Sequence, residues 1–175
     1  MVTTSVKELA DSVRLLRLHG MNPKYFHSRV GFNSRLDEVQ AAVLRVKLPY
    51  LEEWSRRRRE NALRYGEAFK AAGLIPRVLL PEILPNRNHI FHQYVIRCGR
   101  RDALRTHLTE REIGSDIYYP VPLHEQECFK YLGHRPADFP CAHEAAQKVL
   151  ALPIFPEMTP DQIAYVVDSI ADFFK

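Results

Sequence analysis

The 175-residue sequence is poor in cysteine and in long hydrophobic runs. Its three cysteines are odd in number and form no CxxC pair, which is typical of reduced thiols in a cytosolic protein and excludes a disulfide framework. No apolar run approaches the ~20 residues of a membrane span, and residues 1–8 contain no secretory hydrophobic segment. We therefore expect a cytoplasmic protein that does not act on a membrane.

The charge is modest and locally balanced. The net charge is +4, and the basic excess is concentrated in Arg56–Arg59. Such a run can mark a nucleic-acid footprint. However, Glu52, Glu53 and Glu60 flank it and no aromatic ladder accompanies it, which favours a solvated helical face. We expect no nucleic-acid partner. Hydrophobic residues make up 46% of the chain and charged residues 26%, which is enough to build a sizeable core.

Helical periodicity dominates the first 72 residues, and we find no internal repeat. Ser5–Glu8 has the form of a capping box, and apolar residues then recur at three- and four-residue intervals, which predicts a helix over 6–18. A second periodic stretch predicts one long, broken helical arm over 35–72. Pro49 interrupts this arm and Gly73 ends it.

The remainder alternates between strand and helix patterns. Residues 73–87 carry three prolines and are interpreted as a connector with at most a short strand. The elements predicted after it are a strand over 90–97, a helix over 101–111, a strand over 114–119, a helix over 142–150, a short extended piece over 152–156, and a last helix begun by the capping box Thr159–Gln162. This order predicts a small α/β domain over 88–175. The predicted segments are therefore 1–72, the end of a larger domain with its helical arm, then the connector 73–87, then the domain 88–175.

Residues 31–42, Gly-Phe-Asn-Ser-Arg-Leu-Asp-Glu-Val-Gln-Ala-Ala, place an amide, a hydroxyl and a guanidinium in the turn before a predicted helix. An exposed helix start offers unpaired N–H groups and the positive end of the macrodipole, which suits a phosphate. Taken alone, Asn33 and Ser34 could equally be ordinary N-caps.

Four stretches, in order and at compatible spacings, resemble the DegT/DnrJ/StrS family of sugar aminotransferases: GFNSRLDEVQAAVLRVKLPYLEEW, FHQYVIR, IGSDIYYPVPLHEQ and ALPIFPEMTPDQI. The family has the aspartate-aminotransferase (type I) fold and depends on pyridoxal 5'-phosphate. The resemblance implies an α/β chain that corresponds to the C-terminal part of this fold, with long interdomain helices and a small α/β domain. It further implies a homodimer that moves an amino group from glutamate to a nucleoside-diphosphate keto-sugar. The YYPVPLH form is most similar to the branch that acts on 3-keto or 4-keto deoxysugars.

The resemblance also implies that catalytic residues are missing from this chain. The family's Schiff-base lysine corresponds to a position a short distance upstream of Met1. A lysine with that role needs a desolvated amine with a lowered pKa. Lys24 lies in a basic loop, Lys47 and Lys148 lie on amphipathic helices, and Lys130 and Lys175 lie in exposed contexts. None of these five lysines has such a setting. We expect that this polypeptide alone does not transaminate.

By the same resemblance, Asn33 corresponds to the asparagine that reaches the cofactor phosphate of the neighbouring subunit. Arg35 is a candidate for the sugar diphosphate, since a guanidinium suits bidentate phosphate contacts. The alternative for Arg35 is an ion pair with Asp37 or Glu38.

Tyr118, Tyr119 and His124 flank a loop that Pro120 and Pro122 stiffen. Hydroxyl and imidazole donors on a rigid loop suit the recognition of a sugar, and the resemblance implies that this loop enters the active site. These three residues are therefore predicted to bind substrate. The alternative is that the tyrosines are half-buried packing at a strand end.

The other histidines and the cysteines are weaker candidates for a functional site. His92 lies on a predicted alternating strand, where a core or boundary histidine is the default. Five potential ligands crowd twenty residues, but their spacing matches no common zinc motif, and the family needs no metal. They are His124, Cys128, His134, Cys141 and His143. We predict no metal site.

A second hypothesis of a different class fits the same residues. The chain could be a non-catalytic nucleotide-sugar-binding or dimerisation module of this family, which pairs with a full-length relative or binds a nucleotide sugar without reacting.

Overall fold

The computed structural model describes residues 2–175 and divides the chain into two compact units, one ending at Pro49 and one spanning Tyr50–Lys175. Met1, and the expectation for what precedes it, lie outside the described residues. Among residues 2–175 no helix combines the length and the apolar character needed to cross a membrane.

The first unit contains two helices of ten residues each, α1 (Lys7–Leu16) and α2 (Glu38–Lys47). A short 3-10 turn, Leu48–Tyr50, follows α2. The predicted capping box at Ser5–Glu8 is wrong. The N-cap is Val6, which has no side-chain cap, and its N–H instead donates to Thr4 Oγ1 at 3.1 Å.

Two glycines let the chain return closely past the end of α1. Gly20 has a φ of 69°, in the left-handed region that favours glycine. A Cβ added at Gly31 would lie 2.4 Å from Gly20 N and 2.6 Å from Leu16 O, so backbone touches backbone here. The segment that carries Asn33 is therefore held directly against the C-terminal end of α1.

The second unit holds four helices and a three-stranded antiparallel sheet in the order β1-β2-β3. Tyr94 in β2 pairs with Leu152 in β3, and Val78 in β1 pairs with Cys98 in β2. The elements are α3 (Leu51–Ala71), β1 (Val78–Leu79), β2 (Tyr94–Cys98), α4 (Arg101–Glu110), α5 (Pro140–Lys148), β3 (Val149–Leu152) and α6 (Pro160–Phe173). Three 3-10 segments lie between α4 and α5, at Leu123–Glu125, Glu127–Leu132 and Pro136–Asp138.

One hydrophobic core joins these elements, with α6 packed against both α3 and α4. Its aromatic centre is the stack of Tyr65 on Tyr94, whose ring centroids lie 4.8 Å apart. Stacked rings of this kind add about 0.5–1.5 kcal/mol beyond their buried area. Aliphatic side chains from the helices and the sheet complete the fully buried set: Ile96, Leu104, Leu108, Leu150 and Ile170.

Polar side chains on one face of α3 hold the extended segment after β3. Arg58 donates to Ile154 O at 2.8 Å, Asn61 to Phe155 O at 2.9 Å, and Tyr65 to Pro153 O at 2.9 Å. Residues 58, 61 and 65 are spaced three and four apart, so they share a helix face. The carbonyls of residues 153–155 are thereby satisfied without a strand partner.

Besides the capping box at Ser5–Glu8, three element predictions differ from the structure. The strand predicted over 90–97 begins only at Tyr94. The strand over 114–119 is reduced to a single bridge between Asp116 and Ala151. The helix predicted over 142–150 begins earlier, at Pro140, and gives way to β3 at Val149. The capping box Thr159–Gln162 is confirmed, with both of its reciprocal hydrogen bonds present.

The division of the chain also differs from the predicted boundaries of 1–72, 73–87 and 88–175. Helix α3 packs on α6, so it belongs with the second unit and not with the residues before Pro49. The predicted connector contains β1, which joins the sheet through β2.

Candidate functional site

The elbow, residues 31–37, is an extended segment that runs beside the end of α1. Phe32 N donates to Leu16 O at 2.7 Å, and Ser34 N donates to Arg17 O at 3.0 Å. Asn33 and Arg35 are exposed, and their side chains meet, because Arg35 Nε donates to Asn33 Oδ1 at 3.0 Å. The Asn33 amide thus uses its oxygen within the elbow and keeps its Nδ2–H donors for another acceptor.

The start of α2 is not the phosphate cradle that the sequence suggested. Asp37 is the N-cap, and its Oδ1 accepts from Val39 N at 2.9 Å and from Gln40 N at 3.1 Å. The helix N–H groups are therefore already occupied by a carboxylate. The N-cap interpretation of Asn33 and Ser34 is wrong for the same reason. The Asp37 carboxylate thus takes up two N–H groups at the start of α2 and places a negative charge there.

A second arginine reinforces the positive charge of the elbow. Arg17 Nε donates to Ser34 O at 3.2 Å, which brings its guanidinium to the same backbone stretch as Arg35. Arg35 makes no ion pair with Asp37 or Glu38 in the part of the chain that the structure describes. The elbow is thus a small, exposed, cationic surface with one amide.

The tyrosine loop, which we define as residues 115–125, starts at the bridge to β3. Asp116 N donates to Ala151 O at 3.2 Å, and Ala151 N donates to Asp116 O at 2.7 Å, so the loop leaves a fixed point of the sheet. Tyr119 is 71% exposed and Tyr118 is 38% exposed. The predicted alternative, half-buried strand-end packing, therefore fits Tyr118 better than Tyr119.

Tyr118 lines an open cleft of about 460 Å³ in the second unit. Polar side chains converge on it from three places in the chain: His92, Gln93, Arg105, Ser115 and Asp116. The Asp116 carboxylate raises the pKa of the Tyr118 phenol, because its acceptor oxygens and negative charge favour the protonated hydroxyl. The Tyr118 O–H is thus directed to Asp116, and its phenol oxygen is left as an acceptor on the cleft side.

His92 differs from its predicted setting. It precedes β2 instead of lying within it, and its side chain is exposed at the cleft, so the interpretation as a core or boundary histidine is wrong. The ladder begins only at Tyr94, which leaves residues 90–93 outside the in-and-out alternation of the sheet.

His124 is the most enclosed of the predicted substrate residues. Its side chain is only 10% exposed, and its ring lies 4.7 Å from that of Phe139. Its Nε2 is 3.3 Å from Glu125 Oε1 but makes no hydrogen bond. Ser115 Oγ is the other buried side-chain polar atom without a partner among residues 2–175. Such atoms are uncommon in folded proteins, and both belong to the tyrosine loop.

Among the described residues, no three His, Cys, Asp or Glu side chains are grouped so that they could hold a metal ion. The arginine run on α3 is partly neutralised. Arg56 and Arg57 pair with Glu53, and this lowers the pKa of Glu53 to about 2.

Sequence reasoning missed several polar residues of this region. Ser115, Asp116 and Glu125 stood within a quoted motif but were not singled out. Arg105 and Gln147 carried no motif at all. The spacing of His143 and Gln147, four residues apart on a helix, is the one local signal that could have linked two of these residues.

The structure is thus that of a mixed helix-and-sheet chain with a small antiparallel sheet, an exposed elbow that carries Asn33 and Arg35, and a polar cleft. The comparison with known proteins makes this specific: the chain belongs to the DegT/DnrJ/EryC1/StrS aminotransferase family, whose profile matches residues 1–171. The family prediction is thereby confirmed.

Individual relatives support the same family assignment. The chain is 44% identical over its full length to a pleiotropic regulatory protein of Geobacillus stearothermophilus, covering 47% of that protein. It is 40% identical over 98% of its length to the dTDP-3-amino-3,4,6-trideoxy-alpha-D-glucose transaminase of Streptomyces venezuelae, covering 45% of it. The chain thus spans about half the length of the curated relatives it matches.

The solved structures confirm the fold class. DesV of S. venezuelae, crystallised with a ketimine intermediate, superposes with a TM-score of 0.87 at 38% identity, over 98% of this chain and 45% of DesV. The predicted correspondence to one part of the aminotransferase fold is therefore correct.

Proposed function

We propose that this chain forms the C-terminal part of a cytoplasmic, homodimeric, pyridoxal-phosphate-dependent aminotransferase that moves an amino group from glutamate to a nucleoside-diphosphate keto-deoxysugar. Family membership supports the reaction class. The observation that supports the placement of the substrate is that both buried, unpartnered polar atoms, Ser115 Oγ and His124 Nε2, belong to the tyrosine loop. A sugar is rich in hydroxyl groups that can satisfy such atoms.

The cofactor, when bound, supplies the carbon-centred chemistry of amino transfer. Asn33 is proposed to donate its Nδ2–H to the cofactor phosphate of a partner subunit. Its exposure and its oxygen-only use within the elbow support this role. Arg35 is proposed to meet the diphosphate of the nucleotide sugar, with Arg17 adding positive charge at the same surface.

In the second unit, Tyr118 is proposed to accept a hydrogen bond from a sugar hydroxyl on its phenol oxygen within the cleft. Its own O–H proton is directed to the Asp116 carboxylate. Tyr119, at 71% exposed, offers a ring face and a hydroxyl to the nucleotide end of the ligand. His124 contributes from behind the loop through its Nε2.

These residues do not include an amine suited to the covalent step. Every lysine among residues 2–175 is exposed except Lys148, which is half-buried and bonded to Glu144 at 2.6 Å. A Schiff-base lysine needs a desolvated site. We therefore propose that these 175 residues do not transaminate by themselves.

Binding of dTDP-glucose and UDP-glucose, followed by backbone chemical shifts of the 175-residue chain, tests the placement. We expect millimolar binding with shift changes at residues 92–93 and 115–124. Because a lost hydrogen bond costs about 1 kcal/mol, Tyr118→Phe should weaken binding about fivefold. Tyr131→Phe is the matched control, since Tyr131 is an exposed tyrosine outside the loop. Shift changes elsewhere, or equal effects of the two variants, would contradict the proposal.

The elbow is tested separately with pyridoxal 5'-phosphate. Asn33→Asp keeps the size of the side chain, removes the Nδ2 donors and adds a negative charge, so cofactor-induced shifts at residues 33–35 should disappear. Asn86→Asp, at an exposed loop position, provides the control. Unchanged shifts in Asn33→Asp would remove Asn33 from the cofactor site.

A non-catalytic module remains the second candidate, because the Geobacillus relative bears a regulatory name. The same titration separates the two hypotheses. Micromolar affinity for a nucleotide sugar in the isolated chain favours a module, whereas millimolar affinity favours part of an enzyme. An absorbance near ~420 nm that borohydride fixes to a lysine would show that the chain has its own imine chemistry.

A further inference from the structure

Two histidines approach one carboxylate oxygen of Glu125, the last residue of the tyrosine loop, and one of them, His143, is hydrogen-bonded to it. His143 Nδ1 lies 2.7 Å from Glu125 Oε1, and His124 Nε2 lies 3.3 Å from the same atom. The Glu125 and His143 side chains are 21% and 37% exposed, so the 2.7 Å contact is partly shielded from water. Hydrogen bonds to an ionised carboxylate are roughly twice as strong as neutral ones.

A glutamine sets the tautomer of His143. Gln147 Nε2–H donates to His143 Nε2 at 2.8 Å, so that nitrogen is an acceptor and the ring proton sits on Nδ1. The Nδ1–H then points to Glu125 and donates to Oε1. By donating to Nε2 on one side of the ring, Gln147 places the ring proton on Nδ1, where it can be donated to Glu125 on the other side.

The two partners sit on elements of different rigidity. His143 and Gln147 lie one turn apart on α5, whose end is fixed by the buried Arg101 through bonds to Ala146 O at 2.9 Å and Val149 O at 3.0 Å. Glu125 lies at the end of a three-residue 3-10 turn in a stretch without a strand partner. The contact therefore ties a loop to a fixed helix.

We propose that His143 is a positioning residue that acts through Glu125 to fix the tyrosine loop and the ring of His124. Without the Nδ1–H donor, Glu125 loses its strongest contact, and the carboxylate that faces His124 Nε2 is no longer held in place. Only the statement that this loop faces the substrate rests on the proposed function. The hydrogen bond between His143 Nδ1 and Glu125 Oε1, which we call the clamp, is present in the structure whatever the substrate is.

Side-chain and amide NMR of the full chain tests the clamp without substrate or cofactor. Long-range ¹H–¹⁵N correlations should show His143 as the Nδ1–H tautomer. The amides of Glu125 and Gln126, which bond to Pro122 O and Leu123 O, report the order of the turn. His143→Phe keeps a ring but removes both nitrogens, and it should speed exchange of these two amides about tenfold.

Two further variants make the result specific. His143→Asn places an amide donor near the position of Nδ1 and should restore slow exchange to within about threefold of the wild type. His134→Phe changes a neighbouring histidine that contacts Phe139 but not Glu125, and it should leave the two amides unaltered. Exchange within α5 should stay the same in all three variants.

Each outcome decides the matter. An Nε2–H tautomer for His143, or no rescue by His143→Asn, would overturn the clamp. Faster exchange throughout α5 in His143→Phe would show a structural role in the helix instead of a positioning role. A confirmed clamp combined with no nucleotide-sugar binding would leave this inference standing and reject the proposed function.

Discussion

The two units of the chain use the same helical periodicity with different results. Among residues 2–175, every buried hydrophobic side chain lies in the second unit, between Ala62 and Ile170. In the described part of the first unit no large apolar side chain is buried, and many are at least half exposed, with Leu9 at 51%, Val39 at 73% and Val30 at 96%. The comparison teaches that periodicity predicts which face of a helix needs a partner, but not where that partner lies.

The largest expected effect comes from one substitution made in both units. Leu104→Ala in α4 removes a fully buried side chain and should lower the free energy of unfolding by about 2–5 kcal/mol. Leu9→Ala in α1 removes a half-exposed one and should change it by less than about 0.5 kcal/mol. Urea unfolding of the two variants measures the contrast. An equal loss of unfolding free energy in the two variants would mean that Leu9 is buried in solution, and would contradict the difference between the two units.

We expect the free energy of unfolding of the second unit to fall at alkaline pH. Burial raises the pKa of the Tyr65 and Tyr94 phenols, and the proximity of Tyr94 adds to the effect on Tyr65. Above pH ~10 the unfolded chain ionises these phenols while the folded chain keeps them protonated, so stability is full below that pH and falls as the pH rises.

Tyr94→Phe should reduce this loss by up to about 1.4 kcal/mol per pH unit. The measurement is the urea midpoint at successive pH values above 9, each compared with the same variant at pH 7. A slope identical to that of the wild type would show that the Tyr94 phenol is not protected in the folded chain.

The smallest expected effects on stability come from removing two helix caps, one in each unit. Thr159 caps α6, which lies in the core, and Thr159→Ala should lower global stability by about 1 kcal/mol. Asp37 caps α2 with two backbone bonds, but α2 has no buried residue. Asp37→Ala should therefore reduce helicity locally, seen as faster amide exchange in residues 38–41, and leave the global urea midpoint nearly unchanged. A global loss in both variants would show that the two units unfold together.

Local signals account for what the sequence predicted well. The last helix combines a capping box, a proline at its first position and a regular apolar face, all within residues 159–173. The strand predicted over 114–119 failed because its pairing depends on a distant partner, and only Asp116 finds one, at Ala151. Short strands are specified by their neighbours more than by their own residues.

The candidate site shows the same limit. The family motifs drew attention to Asn33 and to the tyrosine loop, but they did not indicate that Asp37 occupies the start of α2. The contact between Glu125 and His143 joins residues 18 apart, and neither residue has a local pattern that points to the other. Tertiary contacts of this kind become visible only when the chain is folded.

The three donors of α3 have one more consequence, which concerns insertions. A hydrophobic face can slide along its neighbour and find new packing, but the bonds from Arg58, Asn61 and Tyr65 to the carbonyls of residues 153–155 match one axial setting of the helix. An extra residue between Arg58 and Asn61 would rotate Arg58 by about 100° about the helix axis relative to Asn61 and Tyr65, and would leave Ile154 O without its donor. We therefore expect α3 to tolerate exchanges of individual apolar residues better than an insertion between these three donors.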